Sequence, residues 1–140
     1  MAGYSETPLV RKLGIKAGLD VAFVNAPENF VKQLDLPVVN NVRPVSRGRA
    51  LDFILVFVKS QKTLINAFAQ YSRKIKLSGV LWVSWPKKTS GVQSDLTENV
   101  VRDIGLAAGM VDVKVCAIDE VWSGLKFVYR LKDRGPLKFR

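Results

Sequence analysis

LDFILVFV, Leu51 to Val58, is an almost unbroken apolar run rich in β-branched and aromatic residues. Such a run has no polar face to offer water, so it predicts a strand covered on both sides, as in parallel sheets. The residues after it support that reading. Ser60 is placed to cap a helix in which Leu64, Phe68, Tyr71 and Ile75 fall at helical spacing, with Gly79 expected to end the unit. VLWVSW, Val80 to Trp85, then predicts another strand, stopped by Pro86. After a polar loop from Lys87 to Ser94, Asp95-Leu96-Thr97-Glu98 has the pattern of a capping box, opening a helix with Leu96, Val100, Val101 and Ile104 on one face. That helix is expected to stop near Gly109.

Working outward, Val111, Val113, Val115 and Ala117 alternate with Asp112, Lys114 and Cys116, which predicts a strand with one face better buried than the other. Asp119 to Gly124 turns the chain. Leu125, Phe127, Tyr129 and Leu131 alternate again, as an antiparallel partner would. Towards the N-terminus, Val21 to Val24 reads as a buried strand ending at Asn25-Ala26-Pro27, and Pro27 to Leu34 as one or two helical turns. Before it, Thr7 is expected to cap a short helix whose first residue is Pro8, closed by Gly14 and Gly18. Residues 36 to 49, broken by Pro37, Pro44 and Gly48, read as loop with one short edge strand between Val38 and Val45. Strand, helix, strand, helix, strand is the signature of right-handed parallel crossovers. The expected fold is a single α/β domain over residues 1–140: a three-layer, Rossmann-like arrangement with a mostly parallel sheet and a C-terminal antiparallel hairpin. Residues 132–140 are expected to form a frayed basic tail.

Composition narrows the chemistry. The 140 residues include no His and one Cys, Cys116. That removes Ser-His-Asp and Cys-His catalysis, His-ligated metals, internal disulfides and Cys-rich zinc sites. A glycine-rich turn is missing after the first strand, and no GxxxxGK[ST] motif occurs, which argues against dinucleotide and P-loop nucleotide binding. Paired-carboxylate hydrolysis is unsupported, since Asp119 and Glu120 are adjacent and point apart on extended backbone. The start of the chain has no apolar signal-peptide core, and the longest apolar run, Phe53 to Val58, is far short of a membrane span, so a soluble cytoplasmic protein is expected. Twenty-two Lys and Arg against twelve Asp and Glu give a net charge of +10. A single-sign excess of this size suits an anionic partner.

Ligands of open α/β sheets bind outside the carboxyl ends of the strands. That rule selects Asn25, then Lys59 and Ser60, then Trp85, Lys87, Lys88, Ser90 and Gly91. It also selects Asp119, Glu120, Trp122, Ser123 and Gly124, with Lys126 just past the turn. The lysines would neutralise a phosphate or carboxylate, and the helix N-termini after Ser60 and Asp95 would add donors. The tryptophans would stack on a planar ring, the glycines would admit close approach, and Asp119 and Glu120 would orient a hydroxyl. Each also has a plain structural reading: solvated loop-tip lysines, tryptophans that plug a sheet edge, acids that form a turn, and Cys116 as a small core residue.

The blocks WPKKTSGVQSDLTENVVRDIG (Trp85 to Gly105) and VDVKVCAIDEVWSGLKFV (Val111 to Val128) resemble a family of small uncharacterised bacterial proteins, domain of unknown function 3052. TPLVRKLGIKAG with VNAPENF (Thr7 to Phe30) is similar to the opening of that family, which has no assigned activity to transfer. A more distant likeness, carried by LGIKAGLDVAFV and the final hairpin, is to class I methyltransferases. In those enzymes the first strand leads into a glycine-rich loop holding the methionine end of S-adenosylmethionine. Here Asn25-Ala26-Pro27 stands there, and the chain between Asn25 and Asp52 is too short for the strand-helix units that carry the ribose-binding acid. The resemblance therefore implies shared architecture with a lost or repurposed cofactor site. The leading expectation is a non-catalytic domain, with no cofactor and no metal, binding a small anionic metabolite at the strand ends. One alternative is non-specific nucleic-acid association through Ser46 to Arg49, Arg73 to Lys76 and Lys126 to Arg140. The other is a degenerate methyltransferase-like enzyme.

Overall fold

A computed structural model describes residues 7–37, 40–45 and 48–134 of the chain. Its centre is one six-stranded sheet in the order β2-β1-β3-β4-β6-β5. The strands are β1 (Asp20–Val24), β2 (Asn41–Val42), β3 (Leu51–Phe57), β4 (Ile75–Pro86), β5 (Met110–Ala117) and β6 (Trp122–Tyr129). β2, β1, β3 and β4 are mutually parallel, whereas β6 runs antiparallel to both β4 and β5. The predicted Rossmann-like α/β arrangement and its C-terminal hairpin are both present. The hairpin inserts its second strand beside β4 and leaves β5 on the edge.

Alternation along β3 and β4 divides the interior in two. Ile54, Val56, Leu81, Val83 and Trp85 face the helices α3 (Gln61–Tyr71) and α4 (Glu98–Ala107) and pack with Leu64, Phe68, Val101 and Phe127. Phe53, Leu55, Phe57 and Trp82 face the other way, against Leu13, Ile15, Phe30, Leu34 and Ile118. That second side is covered by two four-residue helices, α1 (Leu9–Lys12) and α2 (Phe30–Gln33), and by the chain around them. Ser60 caps α3 as predicted, accepting from the Thr63 amide.

Five expectations need correction. The cap of α1 is Pro8, not Thr7, and Pro8 makes no side-chain cap hydrogen bond. Ile75, at helical spacing from Tyr71, instead opens β4 and pairs with Leu51. Gly79 lies inside that strand rather than ending the helical unit. The register slips between Leu51 and Phe53, and a Cβ on Gly79 would meet the carbonyl oxygens of Lys76 and Asp52 at 2.9 and 3.1 Å. Finally, α4 is capped by Thr97, whose side chain accepts from the Val100 amide, so Asp95 is free for another role. The valines of β5 also depart from the pattern: a bulge between Asp112 and Lys114 leaves Val113 and Val115 about half exposed. Of the expected edge strand, residues 38 and 39 lie outside the described residues, as do residues 135–140 of the basic tail.

Candidate functional site

The carboxyl ends of β1 and β3 border a cleft of about 450 Å³ lined by Asn25, Pro27, Phe57, Val58, Lys59, Thr63 and Trp122. β1 delivers Asn25, which adopts a left-handed φ of 59° and so turns the chain sharply at the strand end. Asparagine tolerates that region better than most residues, which lets it stand where glycine is usual. β3 delivers Phe57, Val58 and the exposed Lys59, and the first turn of α3 adds Thr63. Trp122 enters from β6, half-buried, its ring perpendicular to that of Phe57 with centroids 5.0 Å apart. The lining thus combines apolar and aromatic residues with a lysine, a threonine and an asparagine.

Lys59 also borders a second hollow, of about 430 Å³, with Ser60, Gln93, Ser94 and Asp95. Its chemistry is already used. The Asp95 carboxylate accepts the Gln61 amide at 2.8 Å, and Ser60 Oγ accepts the Thr63 amide at 3.1 Å. The protein's own acid therefore occupies the α3 N-terminus, where an external anion was expected.

The other predicted rim residues separate. Trp85 is buried against α3 and α4, only 4% exposed, and cannot stack on a ligand. The amide of Lys87 donates to Val121 O at 2.7 Å, tying two loops together, while Lys88 is exposed. Ser90 Oγ donates to Lys87 O at 2.6 Å and accepts from the Val92 amide at 3.1 Å, and Gly91 has φ 79°, so both shape a turn. Asp119 Oδ1 accepts the amides of Val121 and Trp122, each at 2.8 Å, as turn formation requires. Glu120 is exposed beside it, and neither acid lines the cleft. Ser123 is paired with Trp85 within the sheet. Gly124 is buried, and a Cβ there would come within 2.9 Å of Ile118. Lys126 is displaced furthest. It pairs with Trp82, well below the rim, on the sheet face that also carries Trp122.

Of the predicted residues, then, the structure brings together Asn25, Lys59 and Trp122. Sequence reasoning missed Pro27, Phe57, Val58 and Thr63. Val58 adjoins Lys59, Pro27 and Phe57 lie two residues from Asn25 and Lys59, and Thr63 lies one helical turn after the cap. Ser84 was missed as well: its hydroxyl is fully buried and without a hydrogen-bond partner, at a position paired with Phe57 and Gly124.

A larger hollow, about 580 Å³, lies at the opposite end between α3 and α4. The polar groups of Arg49, Ser72 and Tyr129 in its lining bond to one another. Tyr129 donates its hydroxyl proton to Ser72 O, and Arg49 Nη1 reaches the Tyr129 hydroxyl at 3.0 Å and Ser72 O at 3.1 Å. Elsewhere in the basic segments, Lys76 pairs with Asp52 at 3.0 Å. Burial pushes the Cys116 thiol up against the opposing influence of Lys12 and Lys114, so it is no ready thiolate. Among the described residues no acid and Cys grouping could hold a metal, and no helix is long and apolar enough to cross a membrane.

No family model matches the chain, and no curated protein does. Solved structures do. A putative type 11 methyltransferase of Sulfolobus solfataricus superposes with a TM-score of 0.61 at 13% identity, over 94% of this chain and 95% of that one. A TehB-like SAM-dependent methyltransferase of Corynebacterium glutamicum gives 0.58 at 8% identity, over 92% and 91%. A SAM-dependent methyltransferase of Aquifex aeolicus gives 0.57 at 15% identity, over 85% and 86%. The fold is the Rossmann-like fold of these methyltransferases.

Whether the residues here fit S-adenosylmethionine is a separate matter, decided by the cleft. Its lining contains no carboxylate for a ribose diol or for the sulfonium charge, and its one ionic group is the cation Lys59. The turn after β1 is Asn25-Ala26-Pro27-Glu28-Asn29, with side chains throughout, and β2 is only two residues long. Arg43, just after it, pairs with Asp20 at 3.4 Å. These residues do not fit the whole methyl donor.

Proposed function

We propose that the chain is a degenerate methyltransferase-fold protein whose cleft at the ends of β1 and β3 binds a small anionic ligand with a flat apolar part. The observation that carries this reading is the cleft lining itself, which puts Lys59 and Thr63 together with the half-buried Trp122, whose ring packs on the buried Phe57. A cation beside an aromatic surface favours an anion attached to a ring. The position, at the carboxyl ends of parallel strands, is where this architecture exposes unspent backbone and loop groups. The same wall disfavours a sulfonium, which Lys59 repels.

Trp122 supplies a reporter, since the other two tryptophans are buried. Titrations followed by its fluorescence should show benzoate and phenyl phosphate saturating, and benzamide, a neutral counterpart of benzoate, binding about tenfold more weakly. Lys59→Met should abolish the preference for the charged compounds. Saturable binding of S-adenosylmethionine or S-adenosylhomocysteine, tighter than that of the aryl anions and unchanged in Lys59→Met, would overturn the degenerate reading in favour of an active methyltransferase. Failure of all five compounds to saturate would overturn the cleft as a binding site.

A further inference from the structure

The displaced Lys126 leads to a second site, independent of the cleft. Lys114 of β5 is its register partner on the neighbouring antiparallel strand. Directly opposed residues leave a sheet on the same face with Cβ atoms about 5 Å apart, and like charges so placed are destabilising. The pairing is a product of the β5 bulge. Asp112, two residues before Lys114, points to the opposite side, where it meets Arg102 of α4 at 2.9 Å. Without the extra residue Lys114 would follow it there.

Both ammonium groups converge on one segment. Lys114 Nζ donates to Lys12 O at 2.8 Å, and Lys126 Nζ lies 4.0 Å from where a Cβ on Gly14 would stand. Gly14, at φ 80°, leaves that space open. Lys16 follows two residues later. Burial first, then the charges of Lys114 and Lys16, hold the Lys126 amine below the usual lysine range. The ion pairs of the described residues join Arg43 to Asp20, Lys76 to Asp52, and Arg102 to Glu98 and Asp112. None reaches Lys16, Lys114 or Lys126. Capping the carboxyl end of α1 explains Lys114, but it explains neither of the other two.

We propose that Lys16, Lys114 and Lys126 form a binding site for a phosphate group on the face of the β5–β6 hairpin. Three cations with no ion-paired carboxylate among the described residues suit a multivalent oxyanion better than a single carboxylate, and the open backbone at Gly14 admits it. The phosphate can belong to a small molecule or to a nucleic-acid backbone, and the experiment separates these sources.

Thermal unfolding is measured in pyrophosphate and in sodium chloride of matched ionic strength, for wild type, Lys126→Met, Lys126→Gln and Lys59→Met. At tenfold excess over Kd, pyrophosphate should raise the wild-type Tm by roughly 4–6 °C beyond chloride. Lys59→Met should respond like wild type, which keeps this site distinct from the cleft. Neither Lys126 variant should respond, and without pyrophosphate both should melt at or above the wild-type temperature, because a repulsion is gone. A second arm measures a fluorescent twelve-nucleotide oligothymidylate. Binding that falls steeply with salt and is lost in Lys126→Met identifies a nucleic-acid phosphate. No effect of that substitution on the oligonucleotide, with the pyrophosphate response intact in wild type, identifies a small phosphorylated ligand. A pyrophosphate shift equal in wild type and both Lys126 variants, or no larger than that of chloride, overturns the proposal.

Discussion

The two faces of the sheet differ in thickness and in chemistry. On one, α3 and α4 carry side-chain caps at Ser60 and Thr97, and Phe68 meets Phe127 edge to face at 5.0 Å. Arg102 joins Glu98 at 2.7 Å to Asp112 on β5. On the other face, α1 and α2 are single turns, and α2 is held by a chain of rings, with Phe30 5.0 Å from Phe57 and Phe57 5.0 Å from Trp122. There, too, lie the unpartnered Ser84 hydroxyl and the opposed lysines. The thick face supplies stability, and the thin face keeps the groups that a folded core alone does not explain.

The largest effects should therefore come from the thick face. Phe127→Ala should lose about 3–5 kcal/mol in denaturant unfolding, and Phe30→Ala on the thin face only about 1–2 kcal/mol. Equal losses would erase the distinction. Gly105→Ala should also be severe, by about 2–3 kcal/mol, because its new Cβ would lie 2.1 Å from the Phe127 ring.

Trp82→Phe comes next, at about 1–3 kcal/mol, since the indole N–H donates to Leu13 O at 2.9 Å in a buried setting. It should loosen the α1 segment selectively, as amide exchange would show. Ser84→Ala should be neutral or stabilising by up to about 1 kcal/mol, because it removes a buried hydroxyl that has no partner. A clear loss of stability would mean that the hydroxyl is already satisfied in solution.

The smallest effect is the pH dependence of Lys126. Its folded-state pKa is lowered by burial, then by Lys114 and Lys16, so the folded state binds its proton less readily than the unfolded chain does. The destabilisation is complete at neutral pH and is relieved as pH rises through the lowered value towards the ordinary lysine range. The advantage of Lys126→Met over wild type should accordingly shrink on the alkaline side. A constant or growing gap would contradict the placement of that amine.

Much of this architecture was legible because apolar runs and alternation report burial directly, as Leu51 to Phe57 and Leu125 to Tyr129 do, although the last strand begins at Trp122, inside the expected turn, and ends before Leu131. What escaped depends on register and partners, which periodicity does not encode. Ile75 keeps helical spacing from Tyr71 although the chain has already turned. One inserted residue at the β5 bulge reverses the facing of every residue after it, exposing Val115 and setting Lys114 against Lys126. At the site, the rule of strand carboxyl ends found Asn25, Lys59 and Trp122. It also selected Trp85, Asp119, Ser90 and Gly91, because sequence does not show which groups the protein uses for itself.

As proposed, the cleft of this methyltransferase fold takes an anion on a ring and does not fit the whole methyl donor. The most direct test follows the indole N–H of Trp122 by NMR while benzoate and S-adenosylhomocysteine are titrated separately. Saturable movement with benzoate, weakened about tenfold by Lys59→Met, and no saturable movement with S-adenosylhomocysteine is the predicted result. Saturation by S-adenosylhomocysteine at lower concentration than benzoate, carried also by the Asn25 amide, would contradict it.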